Sequence, residues 1–326
     1  MELVWYLSRS AFFKYFYNSC QFTRKEAALK RFYLMNEIIE YFGNLEHKPL
    51  DRVAFLAGSI LILWLIEGGI PLITMHYRKS KAKHALINFA FTFFHLLIHA
   101  SLAVYVVLVC DWCTRHHFGI VNWLHFHVWA VIVFGMLSMD FFGGWLVHIV
   151  QHKVPILWRM HMLHHTDTNV DVTSGLRHHP LEAFFRWAFF FMGILITGLP
   201  IYAVMIAQTI MSVFTMFTHA NICLPQWLDK GMSYLLVSPN MHKVHHHWKQ
   251  PFTDSNYGTA FSIWDRIFGT FKELDPAEIK YGLDKYYDLE KDEDFAALMK
   301  SPFGNMEPHP NAPSSEKVVL KPKLID

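Results

Sequence analysis

Cysteine and charged residues are both scarce in this chain of 326 residues. Its four cysteines are too few and too scattered for a disulfide framework. Charged residues make up 17% of the chain, whereas soluble proteins typically contain about 25%. The formal net charge is only +2, so the charge balance gives no indication of a nucleic acid partner. The composition therefore argues against a disulfide-stabilised secreted module and against a nucleic-acid-binding protein.

Long apolar runs are missing from the N-terminal part of the chain. Arg9 and Lys14 interrupt the first apolar residues, so no cleavable signal peptide is expected. Residues 23–41 have a helical composition with one apolar side, which predicts an amphipathic helix. Such a helix suits a position on a membrane surface, and it suits packing against the rest of the protein equally well.

The remainder of the chain is strongly apolar. Hydrophobic residues make up 53% of the sequence, and phenylalanine alone occurs 29 times, which is typical of an integral membrane protein. A bilayer crossing needs about 20 apolar residues, and four segments are that long: 53–75, 86–109, 128–147 and 181–218. Gly198 and Pro200 divide the last segment, which predicts a helical hairpin or a kinked pair. Glu67 is expected near a helix end, facing protein, or protonated, because a carboxylate in hydrocarbon is costly.

A basic loop sets the predicted orientation. Residues 76–84 carry Arg78, Lys79, Lys81 and Lys83, as cytoplasmic loops typically do. One crossing outward and one back would return the chain to that side at His148. The sequence thus predicts an all-α, polytopic membrane bundle with a histidine-rich cap on the cytoplasmic side, while the side of the N-terminus stays open. Three parts are predicted: an N-terminal interfacial region 1–52, a membrane-embedded domain 53–271 and a polar C-terminal tail 272–326.

Histidine is concentrated in one stretch of the chain. Residues 148–247 hold twelve of the 22 histidines, most of them in short motifs. An HxxxH motif is followed by two HxxHH motifs: His148 and His152, then His161, His164 and His165, then His242, His245 and His246. Residues three or four apart share one face of a helix, so each motif brings imidazoles together. Imidazole binds zinc, copper, iron and nickel, and one metal uses about three or four ligands, so this many histidines predict two metal ions.

Other polar residues in the predicted spans leave alternatives open. His95 and His99 are candidates for a substrate channel or for support of the metal centre, although a packing role is the simpler interpretation. Cys110 and Cys113 form one CxxC motif, which could bind zinc or form a disulfide but favours a structural role. A metal transporter would need polar ligands along its spans, where this chain offers only Glu67, His95 and His99. A haem-binding electron-transfer protein would need isolated axial histidines inside facing helices.

Further motifs accompany the histidines in a fixed order between residues 140 and 271. After the first HxxHH motif come Asp171, Thr173, Arg177, the HPLE sequence at 179–182, His219, the second HxxHH motif, DSNYG at 254–258 and WDRIFGT at 264–270. In this order the chain resembles the fatty acid hydroxylase and sterol desaturase superfamily of membrane di-iron enzymes. Gly143, Gly144 and Ile149 depart from residues that are frequent in the family, which weakens a transfer of substrate specificity but not of the metal site.

The resemblance implies two irons held by histidines, with zinc as a substitute. Carried over position by position, the ligands are His148, His152, His161, His164, His165, His179, His219, His242, His245 and His246. His178 and His247 are treated as neighbours of ligands. Metal-bound imidazoles usually donate their other N–H to a carboxylate or carbonyl, and the candidates for that role are Asp140, Glu182, Asp254 and Asp265.

The resemblance also implies an O2-dependent oxidoreductase acting on an unactivated C–H bond of a membrane lipid, such as a fatty acyl chain or a sterol. Such a bond has no acidic proton, so a metal cofactor must carry the oxidation. Hydroxylation is expected, and desaturation by the same centre is the alternative. The chain has no GxGxxG fingerprint and no ferredoxin-type cysteine spacing. Electrons are therefore expected from a separate donor protein.

Overall fold

The computed structural model describes residues 48–77, 79–283 and 293–304, together with 33, 36, 37 and 39–41. The amphipathic helix predicted at 23–41 lies largely outside the described residues, as does much of the C-terminal tail. Within the described part the chain is helical, and β structure is limited to three isolated bridges. The prediction of an all-α fold is confirmed.

The helices follow one another through short connections. In chain order they are α1 (Pro49–Gly69), α2 (Lys81–Arg115), α3 (Ile120–Trp123), α4 (Val128–Asp140), a π-helical turn (Phe141–Leu146), α5 (Val147–Lys153), α6 (Pro155–His165), α7 (Pro180–Thr197), α8 (Ile201–His219), α9 (Gln226–Ser233), α10 (Pro239–His245), α11 (Ile263–Ile267) and α12 (Phe295–Lys300). Short 3-10 turns occupy Ser174–Leu176, Pro276–Glu278 and Ser301–Phe303.

Four helical segments in the described part are long and apolar enough to cross a membrane. They are Lys81–Trp123, Val128–Lys153, Pro180–Thr197 and Ile201–His219. The chain is thus an integral membrane protein. Helix α1, where the sequence predicts the first span, is not among the four, and it ends at Gly69 instead of continuing to residue 75. Two consecutive glycines and Pro71 explain this early end, because glycine and proline both weaken a helix.

Helices α7 and α8 form a hairpin, the first of the two arrangements that the sequence allows. Gly198 closes α7 in the left-handed conformation, with φ of 70°, and its N–H donates to Ile194 O over 2.7 Å. Glycine tolerates this conformation because it has no Cβ. Pro200 then precedes the first residue of α8, where its fixed φ favours a new helix.

The spanning helices pack around one core and expose apolar side chains outward. The largest core cluster joins α2, α4, α7 and α8 through buried residues such as Val106, Met139, Ile194 and Ala203. Leu96 and Leu97 of α2 are more than half exposed. Apolar groups on the surface of a spanning helix meet lipid tails, so they cost nothing there.

The two ends of the bundle differ. At one end, Asn122 donates to Gly198 O over 3.0 Å, which places the α2–α4 connection beside the tip of the α7–α8 hairpin. At the other end, Tyr77 donates to Asp171 over 2.8 Å, and the His76 amide donates to the Asn169 side chain over 3.0 Å. The basic loop therefore lies at the same end as the histidine motifs, as the predicted topology requires.

Glu67 ties the end of α1 to this histidine-rich end. It is 3% exposed, and it accepts hydrogen bonds from the amides of Val172 and Asn221, each over 3.0 Å. Lys81, at the start of α2, lies 2.6 Å from the same carboxylate. Glu67 is thus near a helix end and faces protein, two of the three arrangements expected from the sequence.

We expect Glu67→Ala to lower the thermal stability of the detergent-solubilised protein. The substitution leaves two buried amides without an acceptor, and each such group costs about 1–3 kcal/mol. Asp111→Ala is the matched control, because Asp111 forms an exposed ion pair with Arg115 that is worth about 0–1 kcal/mol. The unfolding temperature, followed by fluorescence-detected size exclusion, should fall for Glu67→Ala alone. Equal unfolding temperatures for the two variants would contradict this account of Glu67.

Candidate metal centre

Five histidines form the first group of candidate metal ligands. Their ligand nitrogens lie within 4.8 Å of one another. The members are His148 and His152 from the α4–α5 segment, His161 and His165 from α6, and His245 from α10. Pro155, at the first position of α6, starts a new helix directly after α5, so the HxxxH and HxxHH motifs face each other.

Four histidines form the second group, again with their nitrogens within 4.8 Å. The members are His164 from α6, His219 at the end of α8, His242 from α10, and His246 just after α10. The two groups adjoin, since the rings of His165 and His246 stack at 4.7 Å between centroids.

Each HxxHH motif is divided between the two groups. In α6, the first and last histidines face the first group while His164 faces the second. In α10 the assignment is reversed, and only His245 faces the first group. Residues four apart lie about 40° apart around a helix, whereas adjacent residues lie about 100° apart. One motif therefore supplies ligands to two neighbouring positions.

The arrangement of ring nitrogens fits a metal in each group. His148 donates from Nδ1 to Tyr257 O over 2.8 Å, and His161 donates from Nδ1 to Glu182 over 3.1 Å. In neutral rings both Nε2 atoms then carry lone pairs, and these two atoms lie only 3.0 Å apart. Two lone pairs at that distance repel each other, whereas a cation between them binds both.

In the second group one ring is fixed in the same way. His219 donates from Nδ1 to Thr215 O over 2.6 Å, so its Nε2 also carries a lone pair. The Nε2 atoms of His164, His242 and His246 lie 3.0 to 3.1 Å from it.

Buried polar atoms normally have hydrogen-bond partners, yet His152, His165 and His245 of the first group leave Nε2 without one among the described residues. Converging imidazoles of this kind are suited to holding metal ions.

Burial keeps these rings in the ligand form. It lowers the pKa of His161 to about 3, and it lowers the pKa of His164, His165, His242, His245 and His246 well below the ordinary value. Desolvation disfavours the charged imidazolium, and neighbouring imidazoles add to the effect. The neutral rings therefore keep their lone pairs well below neutral pH.

Two of the four predicted carboxylates contact candidate ligands directly. Glu182 accepts from His161, and Asp254 lies 3.1 Å from His152 Nδ1. Burial alone would raise the pKa of Asp254, but its hydrogen bonds with His152 and Lys153 lower it below the usual value. Both carboxylates hold a ring in the tautomer that presents Nε2 inward.

The other two carboxylates act through the loop that follows Ser255. Asp265 accepts from the amides of Tyr257 and Gly258 over 2.8 and 2.9 Å, and Asp140 accepts from the Ala260 amide over 2.8 Å. A side chain at Gly258 would put its Cβ 2.5 Å from a backbone oxygen, so only glycine fits there. The loop carries Tyr257 O, the acceptor for His148, and Asp140 and Asp265 fix its position without touching a histidine.

His179 and His178 occupy different positions from those predicted. His179 lies outside both groups: its Nδ1 accepts from the Leu181 amide at the start of α7, and its Nε2 donates to Met299 O. His178, treated as a neighbour from the sequence, stacks on His164 at 4.4 Å. It also forms a smaller candidate group with His161 and Glu182. The spacing of four residues between His178 and Glu182 was visible in the sequence.

Tyr257 packs against the first group, whereas His247, Cys110 and Cys113 belong to neither group. His247 accepts at Nδ1 from the Lys280 amide and is not a member of either group. Tyr257, predicted only as part of a turn, packs its ring 5.1 Å from His152 and 5.5 Å from His148. Cys110 and Cys113 are buried in α2 and belong to none of the metal-binding groups found among the described residues.

Comparison with known proteins places most of these features in one matched region. Residues 132–270 match the family model for fatty acid hydroxylase. The chain is 31% identical over 149 residues to alkylglycerol monooxygenase of Xenopus tropicalis, covering 45% of this chain and 31% of that relative. The Homo sapiens protein of the same name is 31% identical over 147 residues, covering 45% and 32%. Ornithine lipid hydroxylase OlsE of Rhizobium tropici is 25% identical over 154 residues, covering 45% of each.

The matched part thus spans about a third of the length of the alkylglycerol monooxygenases. No solved structure matches the chain. All nine histidines of the two groups, and the four carboxylates, lie inside the region that matches the family model. The similarity of this chain to the fatty acid hydroxylase superfamily thus lies in residues 132–270.

Proposed function

We propose that this protein is an O2-dependent di-iron oxidoreductase that hydroxylates an unactivated C–H bond of a membrane lipid. The observation that carries the proposal is the pair of adjoining groups in which nine buried imidazoles converge. The names of its relatives, monooxygenase and hydroxylase, support this reaction type. Those names also favour a lipid with a polar headgroup as the substrate, since they specify alkylglycerols and ornithine lipids.

The proposed ligands are the nine histidines of the two groups. His179 is left out of the set because both of its ring nitrogens face backbone atoms outside the groups. Five ligands surround one position and four the other, which suits iron and also zinc as a substitute. When bound, the two irons would supply the activation of O2 that attack on a C–H bond requires.

The protein's own contribution is orientation and exclusion of water. Asp254, Glu182 and the carbonyls of Ser255 and Tyr257 hold the outer ring nitrogens, so the inner ones keep a fixed direction. His161, His165 and His245 are 0% exposed. A preorganised, dry site limits side reactions of a strong oxidant.

The position of the groups suits a substrate from the bilayer. They lie at one end of the spanning helices, where α4–α5 and α8 end and α7 begins, so a lipid can reach them without leaving the membrane. We propose that this end faces the cytoplasm, because the basic loop 76–84 lies beside it. A separate electron donor protein would deliver electrons there.

The rival functions fit less well. A metal transporter needs ligands spaced along a path across the membrane, whereas both histidine groups lie at the same end of the bundle. A haem protein needs isolated facing histidines, whereas nine imidazoles here are in mutual contact. Desaturation by the same centre is the alternative within the proposed reaction class.

The first prediction concerns metal content. Purified protein should bind two metal ions per chain, with iron in the active form and zinc replacing it after overexpression, because imidazole accepts both. His245→Ala and His164→Ala each remove a ligand from one group, so each should lower the metal content and abolish turnover while membrane insertion persists. Elemental analysis measures the content, and His116→Ala, at the opposite end of the bundle, is the control. One metal or none in the wild-type protein would refute the two-metal proposal.

The second prediction concerns sidedness. Single cysteines placed at Lys79 and at Lys272, in a background without the four native cysteines, should react with a membrane-impermeant maleimide from the cytoplasmic face. A cysteine at Leu124, which is 64% exposed at the other end, should react from the opposite face. Labelling of Lys79 and Lys272 positions from different faces would overturn the topology.

The third prediction concerns the reaction. An inserted oxygen adds about 16 mass units to a lipid and desaturation removes about 2, and both outcomes require the metal-centred oxidant. Deletion of the gene should remove the hydroxylated form of one lipid class, and the intact gene should restore it. His161→Ala should fail to restore it because a ligand is lost. A loss of unsaturation instead would replace hydroxylation by desaturation, and altered metal uptake with unchanged lipids would favour the transporter.

A further inference from the structure

Three polar side chains that belong to neither histidine group lie between α2 and α7. His95 and His99 sit one turn apart on α2, with ring centroids 5.7 Å apart. Trp187 of α7 meets the ring of His99 edge-on at 5.2 Å. Polar groups inside membrane-spanning helices are costly and tend to be functional. These three therefore need an explanation other than packing.

Their hydrogen-bonding capacity is unevenly used. His95 Nε2 lies 3.1 Å from His179 O, and a carbonyl can only accept, so Nε2 carries the proton. The neutral ring then presents Nδ1 as an acceptor. Trp187 is 6% exposed, and its Nε1, which can only donate, has no acceptor among the described residues. One acceptor and one orphaned donor on neighbouring helices match a hydroxyl group, which both donates and accepts.

These side chains connect to the metal centre through His178. The ring of His178 lies 5.9 Å from His95 and stacks on His164, a member of the second group, at 4.4 Å. His178 is held in place by Glu182 over 3.2 Å. A continuous row of imidazoles thus runs from His99, which is exposed on the outer face of α2, to the candidate metal ligands.

The row reaches from the depth of the lipid headgroups into the hydrocarbon layer. Helix α7 has 18 residues, so it is about 27 Å long, close to the roughly 30 Å thickness of the hydrocarbon layer. His95 contacts the backbone of His179, the residue that precedes α7. His95 therefore lies at the edge of the hydrocarbon, where the polar groups of lipids lie, whereas His99 and Trp187 lie about 6 and about 10 Å further in. The apolar neighbours Leu96 and Leu97 face outward.

We propose that His95 and Trp187, with His99 at the outer end, bind a hydroxyl-bearing polar group of the lipid substrate. The bound headgroup places a C–H bond near the polar end of the lipid, and not in the middle of its acyl chain, at the metal centre. An acyl chain alone offers no partner to either side chain. This inference rests on the proposed lipid oxidation and deepens it by naming the part of the lipid that is recognised.

The test compares two probes of equal chain length. The first is tritiated 1-O-hexadecylglycerol, which has two free hydroxyls, and the second is its di-O-methyl ether, which cannot donate. Binding to the purified full-length protein in nanodiscs is measured by scintillation proximity, separately from turnover. Wild-type protein should prefer the diol.

The variants remove one hydrogen-bonding atom at a time. Trp187→Phe keeps a ring but loses the donor, and His95→Leu loses the acceptor. Each should weaken diol binding about 3- to 10-fold, as expected for a single hydrogen bond. His95→Leu should leave ether binding unchanged, because the ether has no hydroxyl to donate, whereas Trp187→Phe should weaken ether binding as well, because the ether oxygens still accept from the indole N–H. His95→Gln, which can both accept and donate, should recover most of the affinity. Trp112→Phe, at the opposite end of α2, is the control and should bind like wild type.

The possible results separate the two proposals. Equal losses for diol and ether in His95→Leu, or no preference in the wild type, would overturn the headgroup site. Unchanged binding with slower turnover and increased peroxide release would instead assign the row to proton supply, and would also overturn it. The predicted binding pattern without any hydroxylated product would overturn the proposed function and leave the headgroup site standing.

Discussion

Buried imidazoles brought together with their lone pairs facing one another are the constraint on which the structure depends. His148 Nε2 and His161 Nε2 lie 3.0 Å apart although both Nδ1 atoms are committed as donors, and three imidazole nitrogens lie 3.0 to 3.1 Å from His219 Nε2. Without a cation between them the contact between His148 and His161 is repulsive. We therefore expect metal binding to be coupled to the folding of this end of the protein, as in other sites whose ligands are brought together only by the fold.

The scaffold around the groups includes buried polar contacts as well as apolar packing. Asp167 accepts from Ser174 over 2.6 Å and lies 2.9 Å from His84 of α2. Arg177 is fully buried and donates to Leu163 O in α6. Lys243, between two candidate ligands of α10, donates to His219 O, and burial lowers its pKa to about 7. These bonds involve α2, α6, α8 and α10, so three of the four ligand-bearing helices are held by groups that need partners of fixed geometry.

Helical spacing explains why much of this site could be predicted from the sequence. The HxxxH and HxxHH motifs put histidines on known helix faces, and Gly198 with Pro200 marked the turn between two spans. The position of His179 outside the two groups could not be predicted, because the chain leaves helical geometry between Leu176 and Pro180. Outside a helix, residue spacing no longer predicts which way a side chain points. The direction of the His179 ring is shown only by its contact with Met299 O.

Only two of the four carboxylates have the role that the sequence predicted. Glu182 and Asp254 contact histidines, as expected because metal-bound imidazoles usually donate their other N–H to a carboxylate. Asp140 and Asp265 bind backbone amides of a loop far away in sequence, and no local pattern reveals which amides a buried acid will meet. The end of α1 at Gly69 is set by local residues, the two glycines and Pro71. The high hydrophobicity of residues 53–75 wrongly predicted a longer helix.

The central claim is that each group of histidines holds one metal. Anomalous X-ray scattering from crystals of iron-loaded protein, collected at the iron absorption edge, tests it most directly. The account predicts two peaks per chain, one among the five histidines of the first group and one among the four of the second. A single peak, or a peak at His161, His178 and Glu182 in place of either group, would contradict it.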